Sequence, residues 1–305
     1  MKTLYTLIAV WMVLALAPAA HAGNQSYPAT QQAIDDEIIN LPWEYELQEY
    51  SLEKSNSNFQ LSEGFALLRG KAARRFDYLT QGMEDPDSEA LIYNQDTEIQ
   101  LIFNYYPSGY VSLEDWGDLD ADDLLQQISE NTETSNQERA KHNITGLKIG
   151  GWLQKPRLNK DDNTVSWVFD VIDGEERYVN AISIRLGRKG YEKITWVSSF
   201  DNYLMSMDLM AALVDQQSFN KGHRYADYSV GDKMAAFGIA SLVAVTAGGN
   251  QKVKAGLAAL FAGLLAAGKK LLIPILIGLG AIGAFFRKLF GGKARKKPDS
   301  DFSGA

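Results

Sequence analysis

The chain has 305 residues, a formal net charge of −8, 46% hydrophobic residues and no cysteine. The missing thiol excludes disulfides, thiolate metal sites, cysteine nucleophiles and a lipid-bearing N-terminal cysteine together. Residues 23–230 carry 18 Lys plus Arg against 35 Asp plus Glu, and a field of that sign repels nucleic acid and anionic surfaces, so no nucleic-acid partner is expected.

Met1-Lys2 opens the chain, an apolar stretch runs from Leu4 to Leu16, and Ala20-His21-Ala22 precedes Gly23. A charged start, a short apolar run and small residues before the cut site predict a secretory signal peptide over 1–22. Residues 23–230 then form an exported acidic domain, long enough to bury a core without staples.

Within that domain, helices are expected at 31–40, 63–75, 120–141 and 201–217. The last opens at Asp201 as a plausible N-cap and sets Leu204, Met207, Leu213 and Val214 roughly on one side. The methionines at 205, 207 and 210 read as core packing, since no His or Cys stands beside them for a soft metal. Ile99, Leu101 and Phe103 alternate with polar neighbours, as do Val165, Trp167, Phe169 and Val171, and then Ile182, Ile184 and Leu186. Period-two alternation predicts sheets with one buried face. Asp173-Gly174 and the stretch Gly187 to Gly190 supply turns that join the last three strands as antiparallel hairpins. Gly151-Trp152 followed by Pro156-Arg157 reads as a strand leaving through a turn, with Trp152 in the core.

The fold class is therefore α+β: an exported domain of antiparallel sheet and packed helices, followed by a C-terminal apolar helical membrane anchor. Three apolar runs make up that end, at 234–247, 255–267 and 271–286. A bilayer core needs about 20 helical residues, so the first two are too short to span it. They are expected over 231–270 as short helices at or in the membrane, either an interfacial hairpin or a buried pair. In the second run Ala255, Ala259, Gly263 and Ala267 recur every fourth residue and form a flat ridge suited to close helix packing. Lys269-Lys270 marks a membrane edge, because a buried lysine costs about 2.5–3.5 kcal/mol. The transmembrane helix is expected over 271–290, with Pro274 in its first turn. Residues 291–305 form a basic tail. With six basic residues over 287–297, the positive-inside rule puts the C-terminus in the cytoplasm and the large domain outside a bacterial inner membrane.

Candidate chemistry is sparse. The acidic run 113–123 holds Asp115, Asp118 and Asp120 as candidate binding or catalytic carboxylates. Asp118, Asp120 and Asp122 fit the first positions of a calcium loop, but Asp123 stands where glycine is needed and Ser129 where glutamate is. Arg185, Arg188 and Lys189 gather near a strand end and form a candidate anion clamp. His142 and His223 lack zinc-protease spacing, and no nucleophile elbow or phosphate loop is present. Gly278 to Gly283 matches a dinucleotide-binding pattern, yet it lies in the expected span and not in a βαβ unit. No metal and no cofactor are expected.

The blocks YYPSGYVSLEDW (105–116), DADDLLQQISENTETSNQERAK (120–141), GGWLQKPR (150–157), NAISIRLGRKG (180–190) and FNKGHRYADYSVGDKMAAFGIASLVA (219–244) occur in one order. Together they resemble the bacterial domain of unknown function 2167. The resemblance covers about residues 58–290 and implies an exported domain with a C-terminal membrane segment, and no activity. Gly222, Tyr225 and Asp227, followed by Asp232, match that family's junction between domain and membrane. QGMEDPDSEALIYN (81–94) departs from its Asn-Pro-Pro-type segment. The expectation is a membrane-anchored interaction or assembly module whose partner is another copy or another envelope protein. The alternatives are an envelope-acting enzyme using carboxylates, with Arg188 binding an anionic group, and a small-ligand sensor.

Overall fold

The computed structural model describes residues 30–249, apart from 83, 95–98 and 142–144. Helix α1 (Gln31–Ile39) leads into β1 (Glu49–Leu52), β2 (Ser57–Gln60) and β3 (Phe65–Arg69). Then come α2 (Lys71–Gln81), β4 (Ser88–Asn94), β5 (Ile99–Tyr106), β6 (Tyr110–Ser112) and α3 (Ala121–Lys141). Four long strands follow: β7 (Leu147–Asn159), β8 (Thr164–Asp173), β9 (Glu176–Leu186) and β10 (Tyr191–Ser199). The chain continues with α4 (Phe200–Asp215), β11 (Gln217–Phe219), β12 (Met234–Gly238) and α5 (Ile239–Thr246).

Seven strands form one antiparallel sheet in the order β3-β4-β5-β10-β9-β8-β7. It consists of two meanders, β3 to β5 and β7 to β10, joined where β10 pairs with β5. The turns at 174–175 and 187–190 close the hairpins on either side of β9, as the sequence predicts. A small antiparallel sheet, β1-β2-β11, lies over one face, and β12 pairs with β6 in parallel.

The large sheet is covered on both faces. One face sends Ile99, Leu101, Phe103, Ala181 and Trp196 into a core completed by Phe59 and by Leu213 and Val214 of α4. On the other, Leu91 and Ile102 meet α1 and α2 through Ile38, Phe76 and Leu79. Beside that cluster, Trp167, Ile182 and Ile184 meet Leu124 and Ile128 of α3 and Ile239, Leu242 and Val243 of α5. The expectation of one buried face therefore fails at β5, where Gln100, Ile102 and Asn104 are buried as well.

Three further expectations change. Residues 63–75 are not one helix: Phe65 to Leu68 form β3, buried on both faces, and the helix begins at Lys71 after Gly70 breaks the strand. Helix α4 is capped by Ser199, whose Oγ accepts from the Asn202 N–H at 3.3 Å, while Asp201 sits in the first turn. Pro156-Arg157 does not turn the chain, because β7 runs on to Asn159 as an edge strand, where a missing N–H is tolerated. Trp152 is half-buried, donating to the Ala121 carbonyl at 2.9 Å and packing edge-on to Phe169.

The largest change concerns the run 234–247, expected as a short apolar segment at the membrane. It forms β12 and α5 and closes one half of the core, with Ile239, Leu242 and Val243 all 0% exposed. Each fully buried side chain of this size contributes about 1.5–3 kcal/mol. Gly248, at φ 94°, ends the helix in the left-handed region, and its carbonyl accepts from the Asn131 amide at 2.7 Å. The folded unit thus continues past residue 230 through 249. No described helix is long and apolar enough to cross a membrane. The expected signal peptide, the run 255–267 with Ala255, Ala259, Gly263 and Ala267, the glycine pattern at 278–283, the expected span 271–290 and the tail 291–305 lie outside the described residues.

Candidate functional site

The three basic residues of the expected anion clamp go to separate tasks. Arg185 points to the end of α4, donating to the Val214 carbonyl at 2.9 Å and pairing with Asp215 at 3.4 Å. A cation at a helix C-terminus satisfies carbonyls the helix itself leaves open. Arg188 makes a two-pronged pair with Asp232, Nε to Oδ2 at 2.7 Å and Nη2 to Oδ1 at 2.9 Å. Its guanidinium is the first cause holding the Asp232 carboxyl down at about 2. Lys189 is exposed, and its carbonyl accepts from the Gly109 N–H at 3.0 Å. The geometry separates Arg185 from the other two and leaves no open clamp at Arg188.

Arg188 and Lys189 instead meet the expected junction residues, at the end of the sheet where β5 leaves and β10 enters. The loop 220–233 folds onto this end. Asp227 accepts from the backbone N–H groups of Gly222 (2.7 Å) and Arg224 (3.1 Å) and from the Arg224 guanidinium. That guanidinium holds the Asp227 carboxyl far below the usual carboxylate range. Asp232 also accepts from the Ser229 N–H at 2.8 Å, which closes the turn 229–232. Tyr225 donates to the Val111 carbonyl at 2.7 Å and stacks on Tyr110 at 4.3 Å, and Tyr228 packs on Tyr110 at 4.2 Å. Gly109 lets the two segments touch: at φ +102°, a Cβ there would sit 2.6 Å from the Lys233 carbonyl. Tyr225, Asp227 and Asp232 therefore act as struts within a compact loop, and Val230 at its tip is 99% exposed.

The acidic run is spent on helix ends. Asp120 caps α3, accepting from the N–H groups of Asp122 (2.9 Å) and Asp123 (3.1 Å), and these bonds lower its pKa. Asp115 accepts from the Ala240 N–H at 3.2 Å in the first turn of α5, and the space its carboxylate occupies exists because residue 238 is glycine. Asp118 is exposed, and Asp122 pairs with Lys155 at 2.7 Å. Among the described residues no group of three or more His, Cys, Asp or Glu is placed to hold a metal ion.

Two features escaped the sequence reading. The first is a buried carboxyl pair. Glu192 on β10 is 0% exposed beside Glu89 and Ser55, and Glu89 on β4 is 3% exposed with one oxygen on the Ser55 N–H at 2.9 Å. Burial first, and the Glu89 carboxylate second, push Glu192 well above the ordinary range. Glu192 was legible in part, since alternation puts it on the face of Ile194 and Trp196; Glu89, in the segment that departs from the family pattern, carries no such local sign.

The second is the outer face of α4. The helix buries Tyr203, Met210, Leu213 and Val214, but Leu204, Met205, Met207 and Leu209 stay 52%, 77%, 50% and 37% exposed. Leu204 and Met207 were expected inside, and the exposed pair Met205 and Met207 does not serve the core. On the outer side of the helix Leu204 with Met207 and Met205 with Leu209 form two exposed apolar pairs with Asp208 between them, a grouping of the kind that contacts another molecule.

Known proteins offer limited further guidance. No curated protein matches the sequence. Similar solved structures include cyanobacterial PsbP (CyanoP) from Synechocystis sp. PCC 6803, at 15% identity and TM-score 0.37, covering 67% of this chain and 100% of that one, and LpqN of Mycobacterium tuberculosis, described as involved in cell envelope biogenesis, at 11% identity and TM-score 0.30, covering 64% and 98%. Likeness at this level carries no argument about activity. Residues 44–280 match the family described as "Protein of unknown function (DUF2167)", and with that share of its length matched the chain belongs to this family.

Proposed function

We propose that the protein is an interaction module of a bacterial envelope, carried outside the inner membrane by the signal peptide 1–22 and held there by the span 271–290, with its tail in the cytoplasm. The observation that supports it is the set of four large apolar side chains, Leu204, Met205, Met207 and Leu209, left exposed on α4 among the described residues. Met205 and Met207 suit such a role because thioether side chains adapt to different surfaces. Segment 200–216 carries Asp201, Asp208 and Asp215 and no basic residue, so the fitting partner is a protein segment with an apolar helical stripe bordered by Lys or Arg. Asp115 and Asp120, two of the three carboxylates that are candidates for catalysis, bond the N-termini of helices, which weighs against the enzyme alternative.

The absence of cysteine makes the test direct. A photocrosslinker attached at Met205→Cys in living cells captures the partner in a discrete adduct, and Met207→Glu removes the adduct without lowering the melting temperature. The captured peptide carries an apolar stripe flanked by basic residues. An adduct that persists in Met207→Glu, or a captured peptide that is acidic and polar, overturns the assignment of α4 as the contact face.

A further inference from the structure

We propose that the turn 228–231 and the lysines around it form a second surface, which rests on an anionic bilayer and sets how the domain stands on its membrane. The inference builds on the membrane-held reading above and adds an orientation to it.

Three observations converge on this end of the sheet. First, apolar exposure is concentrated there: Val230 is 99% exposed, Tyr228 36% and Met234 46%, within seven residues of one loop. Second, the sign of charge reverses. Residues 187–190 and 220–234 bring Arg188, Lys189, Lys221, Arg224 and Lys233 against Asp227 and Asp232 alone, in a domain where acids outnumber bases. Both of those acids are engaged by arginines, at 2.7 Å each. Lys189, Lys221 and Lys233 are exposed. On the neighbouring loop, Asp87 pairs with Lys54 at 3.4 Å and Asp85 takes the Asn104 amide at 2.8 Å. Third, the loop is braced: the Arg188 to Asp232 pair, the Ser229 N–H on Asp232 and the packing of Tyr228 on Tyr110 hold the tip out in water.

An exposed valine at the tip of a stiff turn, a tyrosine beside it and lysines around it match the layered chemistry of a membrane surface. The apolar tip enters the boundary between headgroups and acyl chains, the tyrosine sits at headgroup level, and the ammonium groups reach phosphate. The long-range field of the acidic domain opposes approach to such a surface in general. This end joins the complementary sign to the exposed Val230 tip, so repulsion from the acidic surface and attraction here favour one orientation.

The test uses the full chain in lipid nanodiscs, with single spin labels read by collision with oxygen, which partitions into lipid, and a nickel chelate, which stays in water. A label at Val230→Cys is expected to show a severalfold higher oxygen-to-nickel ratio in discs containing phosphatidylglycerol than in purely zwitterionic discs. A label at Met205→Cys stays water-like in both. Lys189→Glu with Lys233→Glu returns the Val230 label to the water-like value. A label at Leu276→Cys, in the expected span, reports the anchor separately. If Leu276 reads as lipid-embedded while Val230 reads as aqueous in anionic discs, the docking turn is overturned and the anchor stands. A water-like Leu276 overturns the anchor itself, and with it the membrane-held reading on which the inference rests. A Val230 label that stays lipid-exposed in the double lysine variant overturns the electrostatic part of the inference.

Discussion

Replacing Glu192 by glutamine is expected to stabilise the protein at neutral pH and to do nothing near pH 4. Glu192 is completely buried, and the Glu89 carboxyl and Ser55 lie beside it. Its pKa is raised in the folded state, so the native protein holds that proton more tightly than the unfolded chain does. The resulting stability is complete below the ordinary glutamate pKa of ~4.3 and drains away as pH rises towards the folded value, by about 1.4 kcal/mol per pH unit. Glutamine cannot ionise, so the variant lacks this loss. Asp77, pushed up to about 8 by burial, adds a slope of the same sign to both proteins and cancels in the difference. Urea unfolding of the wild type and Glu192→Gln at pH 4.5, 5.5 and 6.5 should show the variant gaining about 1.4 kcal/mol per unit, or roughly 3–6 °C in melting temperature for a domain of this size. A difference that is constant across the three pH values, or a variant that is less stable at pH 6.5, would refute the picture of a proton retained between two carboxyls.

Three other outcomes follow from the geometry. Leu242→Ala, at a fully buried position of α5, should cost about 2–5 kcal/mol in unfolding experiments, whereas a lipid-facing leucine outside the fold would leave the domain's stability unchanged. Asp115→Ala should lower stability by about 1 kcal/mol through loss of the bond to the Ala240 N–H, and Asp115→Asn should restore most of it; a loss of cellular function in the asparagine variant at unchanged melting temperature would revive the enzyme alternative. Arg188→Ala should raise amide hydrogen exchange in 228–233 more than elsewhere, because its pair with Asp232 braces the turn, and uniform exchange across the chain would contradict that.

The parts of the fold that were legible from sequence are the strands whose large apolar residues fall on one face. In β8 and β9, Val165, Trp167, Ile182 and Ile184 alternate with residues on the other face, and the turns at 174–175 and 187–190 carry the glycines such turns use. What alternation did not show is that both faces are covered: the polar residues between, Gln100 and Asn104 in β5, Asp170 in β8 and Asn180 and Ser183 in β9, are buried too. Phe65 to Leu68 misled because four apolar residues in a row look the same whether they close a strand or open a helix. The run 234–247 misled for a related reason: composition tells that a segment avoids water, and not whether protein or lipid takes its place. At the site, alternation put the charged residues near strand ends but could not pair them. Arg188 finds Asp232 and Arg185 finds Asp215 through contacts 44 and 30 residues apart, which register and loop path decide.

The parallel pairing of β12 with β6, continued by α5, bears on how the molecule carries load. A pull applied at Gly249 acts directly on a helix whose side chains are part of the core. A protease cutting at the exposed tip near Val230 would not release an intact soluble body, because the piece left behind would keep Ile239, Leu242 and Val243 and leave Trp167 and Ile184 uncovered. Cleavage at this tip and loss of fold are therefore one event for the domain.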